Sequence, residues 1–259
     1  MVERGGPHGR RLLAELKADT RAGAQALYAT CKKVQAEVRR ERKRLEQMFS
    51  FERDLHAQGF SRVAGVDEAG RGPFAGPIVA AAVILKAPVE GLNDSKQLEP
   101  EERARLFDVL MTGDHAIGVA SVDVETIDRF GIQQANYSAM AQAVAQLAPA
   151  PEFLLVDGFQ LPGVPHPQTR LIKGDARSLS IAAASIIAKV TRDRIMVELD
   201  AQYPGYGFGK HKGYGTAEHC EKIERLGPCP IHRRSWSPIA QVIQTGSLWD
   251  LEEVETACE

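Results

Sequence analysis

The sequence predicts an α/β fold in which a mixed, mostly five-stranded sheet is flanked by helices. Residues 63–67 and 153–157 are short apolar runs that each end in an aspartate, as expected of buried strands that carry a carboxylate to the edge of a sheet. Residues 77–85 form a near-continuous apolar run, which is typical of a strand buried on both faces and is expected to lie antiparallel to the first. Elsewhere apolar residues recur at helical spacing, which supplies the flanking helices.

The chain is expected to begin with a basic helical arm, residues 1–60. Apolar residues recur there at helical spacing, with a break near Gly23. This arm carries 13 basic and 8 acidic side chains, whereas residues 61–259 carry 19 and 26. The polar face between Lys32 and Arg44 is either a surface that binds a nucleic-acid backbone or a solvated, salt-bridged face, because glutamates interleave with its basic residues.

Residues 61–245 are expected to form the main domain, in which the sheet and its helices alternate. The remaining elements are predicted as a helix at 99–111, a strand at 115–122, a helix at 126–147 interrupted at Gly131, a strand at 169–172, and helices at 178–199 and 216–226. Residues 246–259 include five acids and are expected to form a flexible tail.

Composition narrows the class of protein. At 44% hydrophobic and 25% charged residues, the chain has the composition of a soluble globular protein. Its four cysteines are scattered without the close spacing of a disulfide scaffold or a zinc finger. No apolar run reaches membrane-spanning length, and the N-terminus lacks the apolar core of a signal peptide, so we expect a cytoplasmic protein.

The end of the first predicted strand is the strongest candidate site. Asp67 and Glu68 are followed by a turn in which Gly70 and Gly72 flank Arg71. The glycines let backbone amides approach a ligand closely, and the guanidinium can face a phosphate. Because carboxylates and phosphate repel each other, the combination predicts a divalent-metal site that acts on a phosphate ester.

Six motifs occur along the chain in this order: DEAGRG at 67–72, NDSK at 93–96, VDG at 156–158, KGDARS at 173–178, IAAASIIAKVTRDR at 181–194 and HKGYGT at 211–216. Together they resemble the bacterial ribonuclease HII family. The resemblance covers roughly residues 61–240 and implies a ribonuclease H-like fold with a C-terminal helical extension. It implies an endoribonuclease that hydrolyses the RNA strand of RNA/DNA hybrids and nicks on the 5′ side of ribonucleotides embedded in duplex DNA. Expected roles are the removal of misincorporated ribonucleotides and of RNA primers.

The same resemblance implies the metal ligands and the substrate contacts. The catalytic and metal-binding set is Asp67, Glu68, Asp157 and Asp175, which would hold two Mg²⁺ or Mn²⁺ ions with Asp67 as the bridging ligand. The implied substrate-binding set is Gly70, Arg71, Gly72, Ser95, Lys96, Lys173 and Tyr214. Tyr214 would pack on the deoxyribose that follows the ribonucleotide, and Ser95 and Lys96 would contact the phosphate backbone.

Simpler interpretations stand beside these. Ser95 and Lys96 also fit a capping turn with an exposed lysine. Tyr214 also fits a packed aromatic residue, and Asp193 also fits a member of a surface ion pair. Alternative functions are a non-catalytic nucleic-acid-binding module and the sibling ribonuclease HIII. A phosphotransferase loop is disfavoured because the glycines lack a GK[ST] ending. A monomer is expected, with Leu248-Trp249 as a possible motif for a sliding clamp.

Overall fold

A computed structural model of the chain describes residues 7–245. The chain divides into two compact units, with the boundary between Gln47 and Met48. The first unit consists of helix α1 (Pro7–Ala18) and most of helix α2 (Ala22–Met48). The break that was predicted near Gly23 falls at residues 19–21, and the glycine itself lies in the first turn of α2.

The side chain of Asp19 explains where this break falls. Its carboxylate accepts a hydrogen bond from the backbone N–H of Arg21 at 3.0 Å, and the side chain of Gln25 donates to its carbonyl oxygen at 2.5 Å. A short polar side chain that binds the local backbone competes with the helical pattern, whereas a glycine only weakens it.

The second unit contains the sheet and its helices. In chain order its elements are α3 (Ser50–Ala57), β1 (Val63–Ala69), β2 (Ile78–Ile84), α4 (Pro100–Thr112), β3 (Ala116–Val122), α5 (Val124–Phe130), α6 (Ile132–Ala145), β4 (Phe153–Asp157), β5 (Gln168–Leu171), a 3₁₀ turn (Gly174–Ala176), α7 (Leu179–Gln202), α8 (Phe208–His211), α9 (Ala217–Leu226) and α10 (Ser237–Thr245). The break between α5 and α6 falls at Gly131, as predicted, where φ is +82°.

The sheet has five strands in the order β3-β2-β1-β4-β5, which confirms the predicted mixed sheet. β1 pairs antiparallel with β2 and parallel with β4, so it lies at the centre. In the parallel pair Val66 lies opposite Val156. Asp67 and Asp157 are the next residues of the two strands, and they therefore leave the same edge of the sheet side by side.

Helices cover both faces of β1, and its residues alternate between them. Ala64 and Val66 pack in the cluster that includes Ala139 of α6, whereas Val63 packs with Ile181 of α7. Gly65 lies on the α7 side, where an added Cβ would be 2.1 Å from the backbone of residue 180. Only a glycine permits this close approach of α7 to the strand, and the approach fixes the start of α7 beside the carboxylates.

Glu52 of α3 ties the helix to the start of α7. Its Oε1 accepts hydrogen bonds from the hydroxyls of Ser178 and Ser180 at 2.6 Å each, and all three residues are buried. The short helices α8 and α10 were not predicted from the sequence. No helix within residues 7–245 is both long and apolar enough to cross a membrane.

Candidate active site

Three elements carry the four predicted carboxylates, of which Asp67, Glu68 and Asp157 line one cavity and Asp175 does not. β1 carries Asp67 and Glu68, the parallel neighbour β4 ends in Asp157, and the 3₁₀ turn before α7 carries Asp175. Asp157 also fixes the turn, because its Oδ1 accepts a hydrogen bond from the backbone N–H of Gly174 at 2.6 Å. A contact across 17 residues thus joins the end of β4 to the start of α7.

Asp67 lies on the α7 side of the sheet and is almost fully buried. The hydroxyl of Ser185 on α7 donates a hydrogen bond to it, and the hydroxyl of Ser95 lies 2.8 Å from that of Ser185. Burial, followed by the charges of Glu68 and Asp157, raises the pKa of Asp67 well above its usual range. A positive ion beside this carboxylate would remove the cause of that shift.

Glu68 faces the opposite side of the strand, towards α6. Burial raises its pKa to about 7, while Arg71 and Asn136 favour its charged form. Within the described residues, its Oε2 is buried and has no hydrogen-bond partner. A buried carboxylate oxygen without a donor is costly unless a cation or a ligand reaches it.

Asp157 and Asp175 complete the group. Burial raises the pKa of both carboxyls, and for Asp175 the charges of Asp94 and Asp157 add to the effect. Lys96 is the cation they share. Burial opposes its charge, but the surrounding acids outweigh burial and raise its pKa.

These carboxylate oxygens suit a hard divalent cation whose coordination shell is completed by other oxygen ligands. In the described part of the chain, no three acidic, histidine or cysteine side chains converge closely enough to enclose an ion by themselves. Mg²⁺ commonly binds one or two carboxylates and takes its remaining ligands from water and substrate phosphates. The oxygen-only donors, the partnerless oxygen of Glu68 and the raised carboxyl pKa values all fit such an ion.

A cavity of about 300 Å³ lies over the carboxylates. Asp67, Glu68 and Asp157 form its acidic side, and Lys96 and Lys189 contribute cations. The turn at residues 70–72, the two serines Ser95 and Ser185, and Tyr214 also line it. One opening therefore brings together carboxylates, cations, backbone amides and an aromatic ring, which are the groups that a phosphodiester in a sugar–phosphate chain requires.

Arg71 in the glycine-rich turn is held on several sides. Its Nη2 donates to Oε1 of Gln133 at 3.0 Å, and its Nη1 lies 3.8 Å from Glu68. The guanidinium carbon is 4.4 Å from the centre of the Phe159 ring. Gly70, just before it, has φ +101°, a conformation that only glycine adopts readily.

The other predicted substrate-binding residues differ in accessibility. Ser95 lines the cavity, but its hydroxyl is buried against Ser185 and its carbonyl oxygen accepts a hydrogen bond from Arg103 at 2.8 Å. Lys173 is exposed just before the 3₁₀ turn, with φ +53°, and is not among the residues that line the cavity. Tyr214 is 40% exposed at the rim.

Tertiary contacts add residues that the sequence analysis did not assign to the site. Asp94, Gln133, Asn136, Ser185 and Lys189 all touch or face the predicted residues. Of these, only Asp94 stood next to predicted residues in a quoted motif. For Lys189, the sequence contained one clue to its position, which is Asp193 one helical turn later. In the structure the carboxylate of Asp193 accepts a hydrogen bond from the lysine at 2.8 Å.

Comparison with known proteins identifies relatives of this architecture. Residues 64–239 match the family described as Ribonuclease HII, and residues 7–56 match the family described as Ribonuclease HII N-terminal domain. The ribonuclease HII of Geobacillus kaustophilus (strain HTA426) is 52% identical over 231 residues, or 88% of each chain.

Two solved structures share the fold. The ribonuclease H2 from Pyrococcus horikoshii OT3 has a TM-score of 0.60 at 29% identity, and the match covers 71% of this chain and 98% of that one. The ribonuclease HII from Archaeoglobus fulgidus, solved in complex with PCNA, has a TM-score of 0.58 at 26% identity, with coverage of 68% and 95%.

The shared fold and the matched families define a nuclease of the ribonuclease H class, a phosphodiester hydrolase. The chain belongs to the ribonuclease HII family, and it is an endoribonuclease that acts on RNA/DNA hybrids. The predicted resemblance and the predicted enzyme class are confirmed, so the binding-module and ribonuclease HIII alternatives are set aside.

Proposed function

We propose that this enzyme cuts the phosphodiester on the 5′ side of a ribonucleotide, both in RNA/DNA hybrids and at single ribonucleotides in duplex DNA. Asp67, Glu68, Asp157 and Asp175 would hold two divalent cations, Mg²⁺ or Mn²⁺. The observation that carries the proposal is that Asp67 and Asp157 leave adjacent parallel strands side by side, within one cavity that also contains Lys96. Family members depend on divalent cations.

The reaction is the hydrolysis of one P–O bond. The carboxylates of Asp67, Glu68, Asp157 and Asp175 would hold the divalent cations, which would supply activation of the attacking water and stabilisation of the departing 3′ oxygen. Water adds its oxygen to phosphorus, the bond to the 3′ oxygen breaks, and the products are a 3′-hydroxyl and a 5′-phosphate. Asp67 and Asp157 fix the reaction centre because both belong to the paired central strands, and no protein nucleophile is required.

Substrate is held by the groups around the carboxylates. Lys96 and Arg71 neutralise phosphate oxygens on either side of the scissile bond, and the turn at 70–72 presents backbone amides to the ribonucleotide. Ser95 supports this arrangement through Ser185, and Lys173 reaches the backbone from the exposed side of the 3₁₀ turn. Tyr214 packs against the deoxyribose that follows, where a further 2′-hydroxyl would be crowded.

The three segments take different parts in this function. Residues 1–60 grip the substrate backbone, residues 61–245 hold the catalytic site, and residues 246–259 serve as a partner-binding tail.

In α2 the cations Lys32, Arg39 and Lys43 are exposed and spaced by seven and four residues, so they lie on one side of the helix.

Ion pairing in α2 supports the separate role of this basic stripe, defined as Lys32, Arg39 and Lys43. Two nearby glutamates pair with other cations, Glu41 with Arg44 at 2.6 Å and Glu46 with Arg42 at 2.9 Å. Among the described residues, no ion pair involves the three stripe cations. Cations left unpaired along one helical side can contact successive phosphates of a duplex.

A sliding clamp is the proposed partner of the monomeric enzyme. The Archaeoglobus fulgidus relative was solved in complex with PCNA. In this chain the candidate motif Leu248-Trp249 lies outside the described residues. Deletion of residues 246–259 should abolish binding to a sliding clamp and leave cleavage of a short duplex unchanged, as measured by calorimetry and gel assay.

The direct test of the proposed function is a duplex DNA oligonucleotide with one internal ribonucleotide, labelled at either end. We expect a single nick 5′ to the ribonucleotide with Mg²⁺ or Mn²⁺ and none with EDTA. End-group analysis should give a 3′-hydroxyl and a 5′-phosphate. Cleavage of long hybrids alone would contradict the proposed junction specificity, and cleavage in EDTA would contradict the metal site.

A further inference from the structure

Arg233, between β1 and the C-terminal helices, is completely buried. Among the described residues, its guanidinium donates hydrogen bonds only to backbone carbonyl oxygens of residues 70–77: Nη2 to Gly70 at 2.5 Å, Nη1 to Arg71 at 2.9 Å, and Nε to Gly76 at 3.1 Å. One side chain thus holds both ends of the glycine-rich turn from a distance of more than 150 residues along the chain.

Burial of the Arg233 guanidinium costs free energy, so side-chain packing alone does not account for an arginine at this position. Within residues 7–245, no carboxylate forms an ion pair with Arg233. Burial, together with the nearby charge of Arg192, lowers the pKa of its guanidinium to about 9. A buried cation without a counter-ion is tolerated only where its hydrogen bonds are well satisfied.

Because the peptide bond is planar, the contacts of these carbonyl oxygens also fix the direction in which the adjacent N–H groups point. In a trans peptide the C=O of one residue and the N–H of the next point in opposite directions. The carbonyl oxygens of Gly70 and Arg71 face Arg233, so the N–H groups of Arg71 and Gly72 face away from it. Residues 70–72 line the cavity over the carboxylates.

Neither of these two N–H groups has an acceptor among the described residues. The backbone hydrogen bonds of the following segment begin at Phe74, whose N–H donates to Gly213 at 2.8 Å. Two adjacent backbone N–H groups that face the same opening form a small anion-binding concavity. Arg71 is half-buried and Gly72 is exposed at the opening, so an oxygen of a ligand that enters the cavity can reach both N–H groups.

We infer that Arg233 is a positioning residue that turns the N–H groups of Arg71 and Gly72 into the cavity, where they donate to an oxygen of the scissile ribonucleotide. The inference rests on the proposed function, in which the turn contacts the ribonucleotide. It adds the reason for the turn's orientation, and it assigns a role to Arg233, to which the sequence analysis gave none.

Arg192 offers a matched control, since it is the other buried arginine that binds this segment. Its guanidinium donates to the carbonyl oxygens of Pro77 at 3.0 Å, Ala75 at 3.1 Å and Lys212 at 3.0 Å. It donates no hydrogen bond to Gly70 or Arg71, although it packs against Gly70, where an added Cβ would lie 2.1 Å from its Nε. Loss of the Arg192 guanidinium should therefore destabilise the fold to a similar degree without reorienting the two N–H groups.

The experiment compares Arg233→Lys and Arg192→Lys, because lysine keeps the charge but cannot bridge several carbonyl oxygens. Thermal midpoints are measured together with kcat and KM on a duplex that contains one ribonucleotide. We expect Arg233→Lys to lower kcat/KM by roughly 10- to 100-fold, as for the loss of preorganised donors. Arg192→Lys should change it by less than about threefold at a comparable fall in midpoint.

A second measurement needs no variant. On addition of the same duplex in EDTA, the ¹⁵N–¹H signals of Arg71 and Gly72 in the wild-type enzyme should shift, whereas those of Gly113, which precedes β3 at the end of the sheet away from Asp67, should not. Equal losses of kcat/KM in the two variants, or unshifted Arg71 and Gly72 signals in the bound state, would overturn the inference. Failure of the wild-type enzyme to nick the duplex would instead overturn the proposed function.

Discussion

Nε2 of His219 lies 3.1 Å from Nε2 of His232 in the interior of the C-terminal part of the chain. Nδ1 of His219 lies 2.9 Å from the carbonyl oxygen of Tyr214, which can only accept, so Nδ1 carries the proton and Nε2 is bare. His232 must then donate through its Nε2, and its Nδ1 accepts from the backbone N–H of Cys229 at 2.9 Å. Both rings are therefore neutral, and the chain of hydrogen bonds ends on the backbone of Tyr214.

Acid should break this chain and destabilise the enzyme. Burial lowers the pKa of His219 to about 3 and that of His232 to about 4, below the ordinary value of 6.5. Because the unfolded state binds these protons first, the contribution to stability is complete above about pH 6.5 and is lost as pH falls towards 4. The free energy of unfolding from urea titrations should fall steeply over this window.

The variant His232→Gln isolates the effect from the carboxyl groups. It removes one titrating ring, so between pH 5 and pH 6 the slope of the unfolding free energy should be smaller than in wild type by about 1.4 kcal/mol per pH unit. His8, on α1 in the other compact unit, provides the control variant His8→Gln, which should keep the wild-type slope. Identical slopes for wild type and His232→Gln would mean that the pair does not stay neutral.

Tyr214 should control which junction is cut. Its ring is 40% exposed at the cavity rim, with Lys189 Nζ 6.0 Å from the ring centre, so it is available to a sugar and is not a packed core aromatic. Tyr214→Ala should reduce kcat/KM on a single-ribonucleotide duplex by roughly 10- to 100-fold, since the apolar surface that the ring buries against the sugar contributes about 1.5–3 kcal/mol.

The conservative change Tyr214→Phe keeps the ring and should retain most of the activity. The ratio of kcat/KM for a single ribonucleotide to that for a continuous hybrid is the decisive quantity. If Tyr214→Ala leaves this ratio at the wild-type value, the tyrosine has no part in junction selection.

The basic stripe of α2 should act through salt-dependent affinity. The triple change of Lys32, Arg39 and Lys43 to Gln should raise KM at moderate salt while kcat stays the same, because these residues are remote in sequence from the carboxylates. The slope of log KM against log salt should fall by about 2 to 3, near one unit for each lost phosphate contact.

A matched double variant, Arg42→Gln with Arg44→Gln, removes cations that are already paired with glutamates. Its salt slope should stay close to that of wild type. If the triple variant leaves the slope of log KM against log salt unchanged, the arm has a purely structural role. Cations that touch no phosphate release no counterions from the substrate.

The sequence was sufficient for features that depend on neighbours along the chain. Asp67 and Asp157 each end an apolar run, and the mixed sheet follows from those runs and from the doubly buried strand between them. Gly131 marks a break because its positive φ is a local property. The short helix α8 was not predicted, since four residues show no helical periodicity.

Contacts between distant segments could not be read from any pattern. Ser185 reaches Asp67 only because Gly65 lets α7 approach β1 closely. Arg233 looks like an ordinary surface cation in sequence, yet it is buried and binds a turn about 160 residues away. Such roles depend on the assembled fold, and a charged residue next to a motif gives no sign of which carbonyl oxygens it will meet.

The central claim is that divalent cations bind at Asp67 and its neighbours and are required for cleavage. The most direct measurement is a Mn²⁺ titration followed by electron paramagnetic resonance, with nicking of the single-ribonucleotide duplex assayed in parallel. The proteins are wild type, Asp67→Asn and the control Asp108→Asn, whose carboxylate is exposed and lies 3.6 Å from Arg194 on the surface. We predict that Asp67→Asn loses Mn²⁺ binding and slows nicking by about 10³-fold or more, while Asp108→Asn matches wild type. Wild-type nicking by Asp67→Asn at the same Mn²⁺ concentration would contradict the account.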